Sequence, residues 1–275
     1  MAFDYFSRNG EILLAEKATI PLSSIEYSYG FGVYETLRVS NCQIYFIKDH
    51  IERLIESARI IDLEHSFTET EIEENINQII AKNDAESCNI KMLLIGAPNK
   101  EEAQLFIICL NPLFPDKKLY RDGATVTTYK YERVFPHAKT LNMLQSYLSY
   151  REAKKLGAYD ALLINRDGYI TEGTRTNFFC IRDQTIYTPP EKDILLGVTR
   201  KALLKVALDN GYKVVEKEIR VEDVAEYDGA FISSTSSKII PIKNINEQAL
   251  NPQSDTLKKL MGLFDDFLAK CEGKL

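Results

Sequence analysis

The chain has 275 residues, 45% of them hydrophobic and 27% charged, which is enough apolar mass for a sizeable core and excludes disordered, collagen-like and disulfide-scaffold classes. Its 34 Lys and Arg against 40 Asp and Glu leave a net charge of -6, so neither a dominant nucleic-acid surface nor an anionic-membrane surface is expected.

In chain order, Gly32 to Ile47 (GVYETLRVSNCQIYFI) places β-branched and aromatic residues on either side of Ser40-Asn41 and predicts a hairpin. An amphipathic helix follows, with Ile51, Leu54, Ile55, Ala58, Ile61 and Leu63 at near-helical spacing. A second helix is predicted from Thr68, where Thr68-Glu69-Thr70-Glu71 has the form of a capping box. The apolar runs Ile90 to Ile95 and Ala103 to Leu110, split by Gly96-Ala97-Pro98-Asn99, read as paired buried strands. Composition shifts at Asn111 to Lys118, which marks residues 113–120 as a linker between a small α+β domain over 1–112 and a large α+β domain over 121–275. In the second domain a strand is expected over Ala124 to Tyr131, and a helix from Leu141 to Leu156 closed by Gly157. Turn-punctuated strands come next, then a helix over Thr199 to Leu208 and an apolar C-terminal helix over Leu257 to Ala269. Strands and helices mix without regular βα alternation, so the fold class expected is α+β in two domains.

Several site chemistries are missing. Gly30-Phe31-Gly32 lacks the third glycine of a dinucleotide fingerprint, and there is no GxxxxGK[ST], HExxH or GxSxG. The histidines His50, His65 and His137 are widely spaced, and the five cysteines follow no CxxC or Cys/His spacing, so no metal site is expected and the thiols are expected reduced. The N-terminal stretch lacks the basic and apolar runs of a signal peptide, and no segment approaches the roughly 18 apolar residues of a membrane helix. A cytoplasmic chain is expected.

What remains is a set of polar residues at junctions. Lys139 lies in Pro136-His137-Ala138-Lys139-Thr140-Leu141-Asn142, between a predicted strand and helix, a setting that suits a nucleophilic amine or equally an exposed lysine near a helix start. Glu172 lies in Tyr169-Ile170-Thr171-Glu172-Gly173-Thr174-Arg175-Thr176-Asn177, where a turn carboxylate either accepts a hydrogen bond from a heterocyclic N–H or is ordinary turn chemistry. Leu195-Leu196-Gly197-Val198-Thr199-Arg200 opens a helix whose free N–H groups favour an anion, or is a plain N-cap. Ser233-Ser234-Thr235-Ser236-Ser237 adds either phosphate donors or a solvated loop.

In this order, KTLNMLQSYLSYREAKKLGAYDALLINRDGYITEGTRTNFF, GVTRKALLKVA and FISSTSSKIIPI, with YGFGVYETLRV and IKDHIERLIESARI upstream, resemble the class-IV aminotransferases, the fold type IV pyridoxal-phosphate enzymes. The resemblance covers nearly the whole chain and implies a two-lobed fold type IV enzyme with pyridoxal 5'-phosphate as cofactor. It places Lys139 at the cofactor-linking catalytic lysine, Glu172 at the partner of the pyridine nitrogen and Arg53 at the phosphate-binding arginine. Val198 and Thr199 match the helix-start phosphate cradle, Leu196 a residue packing on the cofactor ring, and Thr235 a further phosphate contact. Arg53 by itself reads as one more solvated helix charge. A homodimer is implied as well.

The resemblance is less decisive about substrate. Branched-chain enzymes carry a tyrosine five residues after the lysine, where this chain has Leu144, and D-amino acid enzymes carry arginine where Ile90 to Pro98 has none. The family's 4-amino-4-deoxychorismate lyases carry a lysine matched by Lys91 and a threonine near Thr36, which follows Tyr34-Glu35. The expectation is therefore a lyase that eliminates pyruvate and leaves 4-aminobenzoate, with D-amino acid or branched-chain aminotransferase as the alternative. Tyr34, Thr36 and Lys91 are expected at a carboxylate-bearing amino substrate. Arg175, where relatives often have a small residue, is expected to touch cofactor or substrate carboxylate, its alternative being a solvent-facing guanidinium. A non-catalytic binding protein on the same fold is the reading from a different class, and the intact Lys139 and Glu172 oppose it.

Overall fold

The computed structural model describes residues 3–21, 23–112 and 115–272. The described residues separate into two compact units, one of residues 3–21, 23–112 and 137–142, the other of 115–136 and 143–272.

The first unit contains β1 (Tyr5–Arg8), β2 (Glu11–Leu14), α1 (Ile25–Tyr29), β3 (Gly32–Ser40), β4 (Gln43–Ile44), α2 (Ile47–Ile60), α3 (Glu69–Lys82), β5 (Cys88–Ile95) and β6 (Gln104–Leu110). Its strands form a six-stranded sheet in the order β2-β1-β6-β5-β3-β4. The expected hairpin forms, with Asn41 and Cys42 at positive φ in its turn. Along β3 the side chains alternate by the period of two: Val33, Glu35, Leu37 and Val39 are buried, while Tyr34, Thr36 and Arg38 are half-buried on the other face. The buried face packs on α2 and α3 through Ile51, Leu54, Ile72, Ile76 and Ile79. Helix α3 starts at the predicted capping box, in which the Thr68 hydroxyl accepts from Glu71 N and the Glu71 carboxylate accepts from Thr68 N.

The second unit contains α4 (Lys117–Asp122), β7 (Ala124–Lys130), α5 (Leu144–Lys155), β8 (Asp160–Ile164), β9 (Ile170–Gly173), β10 (Asn177–Arg182), β11 (Thr185–Thr188), α6 (Val198–Asp209), β12 (Lys213–Glu216), β13 (Gly229–Ser234), β14 (Lys238–Ile245), β15 (Gln248–Ala249) and α7 (Asp255–Glu272). Its nine-stranded sheet runs β12-β11-β10-β13-β14-β7-β8-β9, with β15 on β14. A further pairing of β9 with β10, through Glu172 and Asn177, closes that path on itself. Phe178, Ile232, Ile240 and Ile242 fill its core.

Three boundaries differ from the sequence expectation. Of the linker expected over 113–120, residues 113 and 114 lie outside the described residues, and Lys117–Asp122 is helical, because Asp116 caps it by accepting from Lys118 N. The expected large domain also loses residues 137–142, which belong to the first unit. The helix predicted from Leu141 begins at Leu144, because Leu141 N donates to Gly32 O and the Lys139 carbonyl accepts from Tyr34 N, so this stretch pairs with β3 instead of coiling. Among the described residues no helix is long and apolar enough to cross a membrane, no metal-binding cluster occurs and the cysteines are free thiols.

Candidate functional site

In the first unit Lys139 is clamped from two sides. Besides the bonds to β3, the backbone N of Lys139 donates to Ser57 Oγ of α2 at 3.0 Å. Its ammonium stands 4.6 Å from the centre of the Tyr34 ring. Tyr34 and Thr36 share a sheet face with Leu93 and Lys91, since Thr36 pairs with Lys91 and Tyr34 with Leu93, and Lys91 Nζ lies 6.0 Å from the Tyr34 ring. Tyr34, Thr36, Lys91 and Lys139 are therefore neighbours on one unit. A cavity of about 680 Å³ opens beside Lys91 and is otherwise lined mainly by apolar side chains, including Leu93, Ile95, Phe106 and Ile108.

Arg53 is not the solvated helix charge that its position on α2 alone would suggest. Its side chain is 12% exposed and binds Glu35 in a two-pronged pair, Nε to Oε1 at 2.6 Å and Nη2 to Oε2 at 2.9 Å. Glu35 Oε2 also accepts from Thr36 N at 3.1 Å and pairs with His50 Nδ1 at 2.8 Å. Burial pushes the Glu35 carboxyl up, but the Arg53 guanidinium and His50 override it and hold the group well below the usual carboxylate range. Burial pushes the His50 imidazole down against the raising pull of Glu35, while Arg53 and Lys139 push it further down.

In the second unit Glu172 is the next-to-last residue of β9 and nearly fully buried. Arg133 Nε stands 2.7 Å from its Oε1, and Leu195 N donates to its Oε2 at 3.3 Å. The carbonyl of the same Leu195 accepts from Asn177 Nδ2 at 2.8 Å, so the segment entering α6 is tied to both β9 and β10. Gly197 is the N-cap of α6 and brings no side chain to its first-turn amides, and a Cβ there would overlap Asn177 Oδ1. Val198 and Thr199 are buried in that first turn, while Leu196 just before it is 40% exposed. Thr235 sits half-buried in the β13–β14 turn, which Ser234 and Ser237 brace through a 2.6 Å contact between their hydroxyls. Ser233 Oγ beside it is buried and has no hydrogen-bond partner among the described residues.

The turn after Glu172 is built on Asp160, a fully buried carboxylate that accepts from the Thr174 and Thr176 hydroxyls and from Ala161 N. A Cβ on Gly173 would overlap Thr176 Oγ1 and stand 2.7 Å from Asp160 Oδ2, so only glycine passes there. Burial pushes the Asp160 carboxyl up, against the lowering pull of Thr174 and Arg175. With Thr174 and Thr176 turned onto Asp160, Arg175 lies exposed with its guanidinium 4.4 Å from the Tyr150 ring and 5.4 Å from Tyr159. That is the solvent-facing alternative for Arg175.

Sequence reasoning passed over Glu35, His50, Arg133 and Asp160. Glu35 carried a usable signal, because it is the charged residue at a buried-parity position of a strand. Arg133 carried none, since its partner Glu172 is remote in sequence and no periodicity links them.

The family described as "Amino-transferase class IV" matches residues 32–245. A D-alanine aminotransferase of Bacillus licheniformis is 27% identical over 251 residues, covering 88% of each chain. Among solved structures, a branched-chain aminotransferase of Thermoproteus uzoniensis with norvaline superposes with a TM-score of 0.89 at 27% identity, covering 99% of this chain and 97% of that one. A branched-chain amino acid aminotransferase of T.th. with pyridoxamine 5'-phosphate gives a TM-score of 0.90 at 25% identity over 99% and 95%. A match over most of its length, together with a fold type IV architecture, makes this chain a member of the class-IV aminotransferase family of pyridoxal-phosphate-dependent enzymes.

Proposed function

We propose that the chain is a transaminase that moves the amino group of a small amino acid to a 2-oxo acid, with Lys139 as its catalytic residue. One observation carries the reading: a lysine whose backbone is fixed to β3 and α2 in a chain matched to class IV over residues 32–245. The relatives described above are named aminotransferases, which supports transamination over the lyase expected from Lys91 and Thr36.

The residues fit a phosphorylated pyridine. The first turn of α6 has an N-cap without a side chain, and the buried Ser233 hydroxyl beside the Thr235 turn has no hydrogen-bond partner among the described residues, a donor set suited to phosphate oxygens. Pyridoxal phosphate, when bound, supplies the sink for charge developing at the substrate's α-carbon. Lys139 would anchor the cofactor, and its Nζ would take and return the α proton. When the cofactor is bound, Glu172 would serve its ring nitrogen, Leu196 its ring, and Arg53, Val198, Thr199 and Thr235 its phosphate. Tyr34, Thr36 and Lys91 would meet the substrate, Lys91 through a carboxylate, while Arg175, exposed against Tyr150 and Tyr159, takes no part in this reading.

Holoenzyme mixed with L- or D-alanine or a branched-chain amino acid and 2-oxoglutarate is expected to release the matching 2-oxo acid. Absence of a 2-oxo acid from every amino acid mixture, with 4-aminobenzoate and pyruvate formed from aminodeoxychorismate, overturns transamination in favour of the lyase. The reading includes a homodimer in the cytoplasm; the exposed Ile20, Ile25 and Tyr29 around α1 support the dimer, and sedimentation at micromolar concentration tests it.

A further inference from the structure

We propose that Glu35 is the positioning residue of the phosphate site, aiming the Arg53 guanidinium from beneath. The inference rests on the assignment of Arg53 to the cofactor phosphate made above. A long arginine on an amphipathic helix ordinarily carries its charged head out to water. Arg53 instead spends its Nε and Nη2 on the two oxygens of one carboxylate, at 2.6 and 2.9 Å. A guanidinium is planar with its donors in a fixed fork, so holding that edge fixes the plane and the direction of Nη1.

Glu35 is itself immobilised. Its strand places it on the buried face of β3, its Oε2 accepts from Thr36 N, and His50 closes on the same oxygen. His50 is fully buried and its Nε2 has no hydrogen-bond partner among the described residues, so the polar contact found for its ring is the one to Glu35. A buried ion pair is a weak device for stability, since apolar residues of the same volume frequently do as well. What a carboxylate adds at this position is a direction for the guanidinium, and the chain of Thr36 N and His50 onto Glu35, then Glu35 onto Arg53, transmits the rigidity of β3 and α2 to that one group.

The test compares affinities of the protein for pyridoxal phosphate and for pyridoxal, which lacks the phosphate. Wild type is expected to prefer the phosphorylated form, and Glu35→Gln to shrink that preference about tenfold, the equivalent of roughly 1.4 kcal/mol, with pyridoxal affinity little changed. Glu35→Asp retains a charge opposite Arg53, which keeps the first unit folded, but is one methylene too short for the two-pronged grip, and the same shrinkage is expected. In an Arg53→Met background neither change lowers the preference further. A parallel fall in both affinities, or an unchanged ratio in the two variants, shows Glu35 to be structural only and overturns the inference. A wild-type protein that binds pyridoxal as tightly as its phosphate overturns instead the assignment of Arg53.

Discussion

At Arg133 and Glu172, two buried side chains of opposite charge stand 2.7 Å apart, and this contact sets what a substitution at either position does. Arg133→Met removes the guanidinium from beside a carboxylate that is almost wholly desolvated, and breaking a buried pair from one side costs about 3–5 kcal/mol. Urea unfolding of the second unit is expected to show this loss, and Arg133→Met with Glu172→Gln to recover most of it. Lys139 behaves differently, because its ammonium meets a tyrosine ring in place of a buried carboxylate. Lys139→Ala is therefore expected to leave stability nearly unchanged while lowering turnover on the order of 10²–10⁴-fold. Borohydride treatment followed by peptide mass spectrometry checks the same residue, since a retained cofactor adduct on the Lys139 peptide should vanish in the variant.

Among the elements, the short pairing of residues 139–141 with β3 decides where the catalytic amine stands. Val33 and Thr140 face each other at its centre, Gly32 accepts from Leu141 N at one end, and a Cβ on Gly32 would come within 2.8 Å of Leu94 O and 2.9 Å of Leu141 Cδ1. Backbone on one side and Leu141 on the other leave little room to yield, so Gly32→Ala is expected to cost about 1–3 kcal/mol and to lower turnover, measured by denaturation and initial rates. Helix α3 offers a local contrast: Thr68→Ala opens its capping box and should cost about 1 kcal/mol with turnover unaffected. This contrast is also the boundary of what was legible beforehand. The cap of α3, the stripe of α2 and the hairpin after β3 are local patterns, and Thr68, Ile51 and Ser40-Asn41 announce them. Leu141 extends the helical spacing of α5 in sequence, yet a long-range partner, Gly32, overrides that periodicity. The same division runs through the site: Lys139, Glu172 and the start of α6 lie in recognisable local motifs, whereas Arg133 acquires meaning only when the fold brings it to Glu172.

Taken over the whole molecule, three buried titratable groups give the two units opposite responses to acid. Glu35 has a folded pKa far below its unfolded value of about 4.3, so its stabilising contribution is complete above that value and is lost as the pH falls through it toward the folded pKa. His50 is held neutral by burial, so below about 6.5 the unfolded chain binds the proton more readily and the stability of the first unit falls further. Asp160 has the reverse sign: with its folded pKa raised, the native carboxyl keeps a proton that the unfolded chain has released above about 3.9, so stability declines as the pH rises through that value to the folded pKa and is regained on acidification. Of the groups facing these three, Arg53 and Lys139 reinforce the division by resisting a proton on His50 in the first unit, whereas the Thr174 and Thr176 hydroxyls that donate to Asp160 favour its charged form and moderate the response of the second, which burial carries. Lowering the pH from about 7.5 to 3.5, through the ranges of His50 and then Glu35, should therefore loosen the first unit before the second. Hydrogen exchange read by mass spectrometry, corrected for the intrinsic pH dependence of amide exchange, is expected to show β3 and α2 losing protection while β8 and β9 hold. In Asp160→Asn the acid gain of the second unit disappears, so β8 and β9 should lose relative protection at the lower pH, and an unaltered profile in that variant would remove Asp160 as the source of the difference.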